Sequence, residues 1–197
     1  MACDVRLYIV KADSGEDSTR MEEKDRLMYS VLMSVYYKEN AEYLQQAMDS
    51  IWNQSVVTDD FVLVCDGPLT QELDAVIAEM QQKHGNVLNV VRFDKNCGLG
   101  NALNLGLKQC RNELVARMDS DDFSLHDCCE KQLSVFSRQP DISICSSLLQ
   151  EFREDKLLGQ RNIPEKHEDI VRFSRKRNPF SHPVVMFKKY GRNGRRL

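Results

Sequence analysis

The hydrophobic positions of the chain alternate between short continuous runs and helix-spaced patterns. Residues 29–37 and 61–65 are nearly uninterrupted apolar runs of strand length, as in a sheet covered on both faces. After each of these runs, apolar residues recur at helical spacing, first over 42–53 and then over 73–84. Strand and helix alternate four times along the chain, which predicts an α/β fold with a mostly parallel central sheet and helices on both faces.

The pattern continues through the second half of the chain. Further strands are predicted at residues 87–93, 114–118, 142–146, 148–152 and 184–187. A glycine turn at 98–100 leads into a third helix. Ser124 is a residue type that caps helices, so it is predicted to begin a fourth. A short helix is expected after Pro164.

Three carboxylates, Asp119, Asp121 and Asp122, directly follow the predicted strand at 114–118. Acids this close repel one another unless a cation lies among them. An Asp-x-Asp step directs two carboxylates to one side of an extended backbone, which suits a hard divalent ion. The sequence therefore predicts a metal–diphosphate site at the carboxyl end of a central strand. A solvated acidic turn would have the same pattern and remains the alternative.

Two other predicted strands also end in polar loops, at Tyr36 and at Asp66. Parallel strands bind ligands at their carboxyl ends, so all three loops are expected to open on one edge of the sheet. The glycine turn does not indicate a dinucleotide site, because the third glycine of G-x-G-x-x-G would fall at Leu103. No P-loop pattern is present either. His182, between two prolines, is interpreted as structural, with a functional role left open.

Composition limits the class of protein without naming it. The chain of 197 residues is 42% hydrophobic, which suits one soluble globular domain, and no apolar run approaches the roughly 20 residues that span a bilayer. Seven cysteines without a C-x-x-C pair favour neither a disulfide framework nor a zinc site, so a reducing, cytoplasmic location is expected. Basic residues are concentrated at the C-terminal end, where nine Lys or Arg and no acid follow residue 169. That segment could meet an anionic membrane or a diphosphate, or be a solvated tail.

The ordered combination of motifs over residues 29–189 resembles family 2 glycosyltransferases with the GT-A fold. The motifs are Ser-Val-Leu-Met-Ser-Val-Tyr at 30–36, Ser-Ile-Trp-Asn-Gln-Ser at 50–55, Val-Leu-Val-Cys-Asp-Gly-Pro at 62–68, Asn-x-Gly-Leu-Gly-x-Ala-Leu-Asn-x-Gly at 96–106, Ala-Arg-Met-Asp-Ser-Asp-Asp at 116–122 and Arg-Asn-Pro-Phe-x-His-Pro-x-Val-Met-Phe at 177–187. The details are similar to the branch that builds bacterial exopolysaccharide, capsule or O-antigen, including the amylovoran-biosynthesis transferases.

The resemblance implies roles for particular residues. The nucleotide-binding set it implies is Ser34, Val35, Tyr36, Asp66, Asn96, Gly98, Asn101 and Asp119. Within that set Asp66 would hydrogen-bond the base. Asp119 and Asp121 would hold Mg²⁺ or Mn²⁺ at the diphosphate, while Asp122 would support their loop. Arg117 would be structural or would reach the diphosphate.

The resemblance also implies a reaction: metal-dependent, inverting transfer from a nucleotide-sugar, expected to be UDP-linked. The acceptor would be a bacterial surface polysaccharide or a lipid-diphosphate-linked glycan, and no nucleic acid partner is expected. The expected location is cytoplasmic, with peripheral contact at the inner face of the membrane. Residues 1–28 would be a polar lead-in, residues 29–189 the transferase domain and residues 190–197 a basic tail.

One part of the family pattern, its acidic general base, has no counterpart in this sequence. The family carries an acidic general base beyond the His-Pro-x-Val-Met-Phe strand, and no residue of this sequence matches it, so the chain is expected to be shortened relative to the family. Nucleotide-sugar binding should then be better preserved than transfer to an acceptor. Two alternatives follow: a non-catalytic nucleotide-sugar-binding remnant, and a sugar nucleotidyltransferase. The second is disfavoured because the loop at 36–40 has no glycine.

Overall fold

The structure is a computed structural model that describes residues 27–153, 156–160, 164, 167–178 and 180–189. The predicted lead-in, apart from residues 27 and 28, and the predicted basic tail at 190–197 lie outside the described residues. The strands are β1 Tyr29–Val35, β2 Asp60–Cys65, β3 Leu88–Arg92, β4 Leu114–Asp119, β5 Ile144–Ser146, β6 Gln150–Arg153, β7 Lys156–Gln160 and β8 Val185–Lys188. The helices are α1 Ala41–Trp52, α2 Gln71–His84, α3 Leu99–Gln109, α4 Cys128–Arg138 and α5 His167–Ser174.

Six of the strands form one sheet in the order β3-β2-β1-β4-β8-β5. Strands β1 to β4 are parallel, and β8 runs antiparallel to both of its neighbours. The predicted mostly parallel sheet is therefore confirmed. The chain proceeds from β1 to β2 on one side and returns to place β4 on the other, so β1 and β4 flank a topological switch point. Ligands bind at such points in open α/β sheets.

Helices cover both faces of this sheet, as predicted. Alternate residues of β1 point to opposite faces: Val31 and Met33 pack with α1, α2 and α4, whereas Leu32 packs with α3. Strand β2 has all six residues buried, which explains its continuous apolar run. The larger core lies on the side of α1, α2 and α4, and α3 covers the other side.

Helix α3 lies unusually close to the sheet at Gly106. A Cβ atom at this position would stand 2.6 Å from Leu32 Cδ1 and 2.6 Å from Val64 Cγ2. Since real Cβ atoms do not approach other heavy atoms so closely, the glycine allows α3 to contact β1 and β2 directly. This contact sets the position of the first turn of α3, which lies at the carboxyl edge of the sheet.

The predicted start of α4 is wrong. Ser124 does not cap the helix, which begins at Cys128. The backbone N–H of Ser124 donates instead to the Ser50 hydroxyl at 3.1 Å. The first turn of α4 is satisfied from a distant residue, because Gln54 Oε1 accepts from Cys129 N–H at 3.0 Å. Gln54 also donates to the Leu125 carbonyl at 2.7 Å, so one buried side chain joins the end of α1 to the start of α4.

Other boundaries differ by a few residues. Strand β1 ends at Val35, two residues before the predicted end, since a turn follows in which Glu39 N–H donates to the Tyr36 carbonyl at 3.1 Å. Strand β7 was not predicted; it pairs with β6 in a separate two-stranded sheet. Among the described residues, no helix has the length and apolar character needed to cross a membrane.

Candidate functional site

A cavity of about 360 Å³ opens at the carboxyl edge of the sheet, where β1, β2 and β4 end. We call it the edge cavity. The described residues that line it are Ser34, Tyr36, Glu39, Asp66, Asn96, Gly98, Leu99, Asp119, Ser120 and Asp121. The three polar strand ends singled out in the sequence therefore meet in one place. The register explains this, because Ser34 of β1 is paired with Asp119 of β4.

Asp66, at the end of β2, organises one wall of the edge cavity. Its side chain is buried, and its two carboxylate oxygens accept from the backbone N–H groups of Cys97 at 2.6 Å and Gly98 at 3.0 Å. The Asn96 side-chain amide donates to the Asp66 carbonyl at 3.2 Å. That Asp66 contacts a base, as the resemblance implies, stays a prediction; the structure shows that its carboxylate holds the loop before α3.

Gly67 lets this loop come close to the end of β2. Its φ is +92°, and a Cβ on it would stand 2.6 Å from the backbone nitrogen of Asn96. A side chain at position 67 would therefore be strained and would displace the loop. The Asp66–Gly67 pair thus fixes where Gly98 and the first turn of α3 meet the cavity.

The acidic cluster lies on the opposite wall. The carboxylates of Asp119, Asp121 and Asp122 have oxygens that all lie within 4.8 Å of one another. Asp119 is half-buried, Asp121 is exposed and Asp122 is buried. Burial, together with the charges of Asp119 and Asp121, raises the pKa of Asp122 to about 6. Asp122 does not line the edge cavity but faces the space between β4 and α4.

Glu39 is a fourth carboxylate at the site that the sequence analysis missed. It lies in the turn between β1 and α1, lines the edge cavity and is half-buried. Burial and the nearby charges of Asp121 and Asp119 raise the pKa of its carboxyl group. The sequence feature that could have identified Glu39 is its position in the loop after the first strand, which opens at the same edge of the sheet as the other polar loops. Ser120 and Leu99 also line the cavity without having been predicted.

Arg117 is buried beneath the acidic cluster, two residues before Asp119 on β4. Its Nη2 forms an ion pair with an Asp119 carboxylate oxygen. Its Nε and Nη1 are buried and have no hydrogen-bond partner in the described part of the chain. Since β4 residues alternate between faces, Arg117 and Asp119 both point to the α3 side of the sheet.

Not every predicted residue reaches the cavity. The Val35 side chain is buried in the core between β1 and the helices. The Asn101 side chain donates to the Cys97 carbonyl at 2.8 Å, so it stabilises the turn that begins α3. His182 is exposed in the segment before β8, away from the edge cavity.

The residues at the edge cavity fit a hard divalent cation. All three clustered ligands are carboxylates, the donor type that Mg²⁺ and Mn²⁺ prefer. Carboxylates gathered this closely repel one another, and a cation among them would relieve that repulsion. Asp119 and Asp121 are at the cavity surface, whereas buried Asp122 stands behind them.

The fold is that of the GT-A glycosyltransferases. A mannosyltransferase from Pyrobaculum calidifontis, solved with GDP-Man and Mn²⁺, superimposes with a TM-score of 0.60 over 83% of this chain and 45% of its own, at 18% identity. S. aureus TarS, solved with UDP-GlcNAc, gives a TM-score of 0.51 at 26% identity over 60% of this chain and 33% of its own.

The chain belongs to glycosyltransferase family 2. The family described as "Glycosyl transferase family 2" matches residues 30–191. Among relatives, the amylovoran biosynthesis glycosyltransferase AmsE of Erwinia amylovora is 40% identical over 82% of this chain and 60% of its own length. A UDP-Gal:alpha-D-GlcNAc-diphosphoundecaprenol beta-1,3-galactosyltransferase of Escherichia coli is 38% identical over 84% of this chain and 60% of its own. The chain thus spans about 60% of the length of these relatives.

Proposed function

We propose that this chain is the donor-binding part of a metal-dependent, inverting glycosyltransferase that uses a UDP-linked sugar. Residues 29–189 form the transferase domain in this proposal. The edge cavity would take the nucleotide and sugar, with Ser34, Tyr36 and Asp66 on the side of β1 and β2. The acceptor would be a growing surface polysaccharide or a lipid-diphosphate-linked glycan.

The single observation that supports this most is the close grouping of carboxylates at the carboxyl edge of β4. Three acids, Glu39, Asp119 and Asp121, line the edge cavity in addition to Asp66, and no Lys or Arg is among its described lining residues. A nucleoside diphosphate carries negative charge and would be repelled by such a cavity. A divalent cation held by Asp119 and Asp121 reverses that repulsion, so diphosphate binding here requires a metal.

When bound, Mg²⁺ or Mn²⁺ neutralises charge on the departing nucleoside diphosphate. The chain itself contributes position and shape. The first turn of α3 begins at the cavity, because Asp66 holds the loop before it and both Gly98 and Leu99 line the cavity; a helix N-terminus favours negative charge. Arg117 holds Asp119 by an ion pair from below, which keeps that carboxylate at the cavity wall.

A UDP-linked donor and a lipid-linked acceptor are supported by relatives. The E. coli relative named above transfers from UDP-Gal to a diphosphoundecaprenol-linked sugar, and TarS was solved with UDP-GlcNAc. The inverting outcome follows from the resemblance to the family. Basic residues concentrated after residue 169 complement an anionic membrane surface, which supports peripheral contact at its cytoplasmic face.

Calorimetric titration of UDP, GDP and CMP, with and without Mn²⁺, tests the donor site. We expect UDP to bind only with Mn²⁺, and Asp121→Asn to weaken that binding at least tenfold because it removes one charged ligand. Asp127→Asn is the matched control: Asp127 pairs with Lys131 on the surface of α4 and does not line the edge cavity. Binding of UDP without metal, or equal binding by both variants, would contradict the proposal.

A further inference from the structure

A second cavity, of about 340 Å³, lies on the α3 side of the sheet. We call it the α3 cavity. Its walls are mostly apolar: Leu103 and Leu107 come from α3, Leu32 and Phe187 from the sheet, and Phe180 from the segment before β8. Neither the family resemblance nor the donor site accounts for an apolar cavity at this place.

Arg117 is the only Lys or Arg among the described residues that line the α3 cavity. The alternation along β4 directs its side chain to this face, because Val115 packs with α3 while Ala116 and Met118 pack on the other side. The side chain is 4% exposed, and its Nε and Nη1 have no acceptor in the described part of the chain. Buried guanidinium N–H groups without acceptors are costly, and phosphate oxygens would satisfy them.

The opening of the α3 cavity is polar and lies beside positive charge. Asn178 and His182 line it and are both exposed. Immediately before Asn178, the chain carries three exposed cations, Arg175, Lys176 and Arg177, whereas Arg172 is paired with Asp169. No acid follows residue 169 in the sequence. These cations directly precede a residue that lines the cavity, so their charge would favour an anion there.

The α3 cavity and the edge cavity meet at one ion pair. Asp119 lines the edge cavity and Arg117 lines the α3 cavity, and the two side chains pair with each other. A group bound by Arg117 would thus lie next to the place where the donor sugar is held. A transferase needs its acceptor in that position relative to its donor.

We propose that the α3 cavity binds the diphosphate and the first part of the lipid chain of a lipid-linked acceptor. This rests on the transferase function proposed above. The acceptor sugar would lie toward Asp119 at the edge cavity, the diphosphate at Arg117, and the lipid chain between Leu103, Leu107 and Phe187. Sugar, diphosphate and lipid follow one another in such an acceptor, and the acidic residue Asp119, the basic residue Arg117 and the apolar wall of the α3 cavity follow one another in the same order.

Titration of the 197-residue chain with farnesyl diphosphate in EDTA tests this proposal. EDTA removes divalent metal, so the probe has no metal-bridged route into the edge cavity. We expect farnesyl diphosphate to bind at least tenfold more tightly than either farnesol or pyrophosphate. Arg117→Met and Phe180→Asp should each weaken this binding at least tenfold, while Arg92→Met, which removes a surface arginine paired with Asp74, should leave it unchanged.

Phe180→Asp keeps the test decisive if Arg117→Met does not fold, because Phe180 is a half-buried loop residue; thermal melting establishes which variants are folded. Equal binding of farnesol and farnesyl diphosphate, or undiminished binding by folded Phe180→Asp, would overturn the proposal.

Titration of UDP with Mn²⁺ on the same samples separates the acceptor-site hypothesis from the donor-site hypothesis. Phe180→Asp should bind UDP like the parent chain. A parent chain that binds farnesyl diphosphate but not UDP would leave the α3 cavity intact and remove the proposed donor function.

Discussion

Two buried aspartates at the site, Asp66 and Asp122, differ in what surrounds their carboxylates. Asp66 accepts hydrogen bonds from two backbone N–H groups, those of Cys97 and Gly98. Asp122 lies behind two other carboxylates in a largely apolar space, and both burial and repulsion favour its neutral form. One residue type therefore serves as a loop anchor in one place and as a support for a charge cluster in the other.

Asp66→Ala should loosen the loop that begins α3. The substitution leaves the N–H groups of Cys97 and Gly98 without acceptors, which costs about 1–3 kcal/mol of unfolding free energy. We expect faster amide hydrogen exchange at both residues and at least tenfold weaker UDP binding with Mn²⁺. Asp94→Ala, an exposed acid just before the same loop, should change neither quantity. Unchanged exchange in Asp66→Ala would show that the loop keeps its position without this carboxylate.

Asp122 predicts a pH dependence of the metal-free protein. Its pKa is raised to about 6, above the ordinary value of 3.8, so the native state binds this proton more tightly than the unfolded state does. The stabilisation is complete below about pH 4 and is lost as pH rises through 6. Asp122→Asn should therefore be more stable than the parent chain at pH 7, by about 2 kcal/mol after allowance for solvent screening, and equal to it near pH 4.

Thermal melting of both proteins in EDTA across this pH range measures the difference. A stability difference that is independent of pH, or one that is larger at pH 4 than at pH 7, would contradict a raised pKa at Asp122. Comparing the two chains cancels the titration of groups that they share.

At the scale of an element, the position of α3 depends on Gly106. Gly106→Ala places a methyl group against Leu32 and Val64, and overpacking of this kind costs about 1–3 kcal/mol. Gly100→Ala is the matched control, because no heavy atom lies within 4 Å of a Cβ at that position of the same helix. It should be neutral or stabilising by up to about 1 kcal/mol, since alanine favours helix.

Urea unfolding of the two variants distinguishes packing from helix propensity. If Gly106→Ala and Gly100→Ala shift the transition in the same direction, propensity dominates and the close contact of α3 with the sheet does not limit stability. We expect opposite signs, or a loss in Gly106→Ala alone.

At the scale of the whole molecule, donor binding should stabilise the entire fold. The edge cavity joins the ends of β1, β2 and β4, so its ligands bind only the folded chain. Ligand at one hundred times its dissociation constant adds about 2.7 kcal/mol. For a chain of this size, that corresponds to a rise of about 5–10 °C in melting temperature.

Mn²⁺ and UDP together should produce this rise, whereas UDP alone should not. The rise should fall by about half or more in Asp121→Asn, because a tenfold weaker affinity adds only about 1.4 kcal/mol at the same ligand concentration. Differential scanning calorimetry measures both values. The same rise in Asp121→Asn as in the parent chain would place the ligand away from the acidic cluster.

Much of the fold follows from local pattern. The buried run of β1, the helical spacing of α1 and the alternation of strands and helices all depend on residues near one another in the chain, and each was predicted within a few residues. The start of α4 was not, because Gln54, which satisfies its first turn, is 75 residues from the N–H that it accepts. Glu39 was not predicted for a similar reason, because its neighbours at the site, Asp119 and Asp121, lie some eighty residues later in the chain.

The sequence by itself determined the class of fold, the family, and the acids that end β4, because periodicity, strand-end position and motif order are properties of the chain read in one dimension. Only the tertiary structure decided that Asp66 anchors the loop before α3, that Glu39 joins the acidic wall, and that Arg117 lies buried between two cavities. Each of these depends on which strands are neighbours and which face a side chain takes, and hydrogen bonds and charges act over a few ångströms of space regardless of separation along the chain.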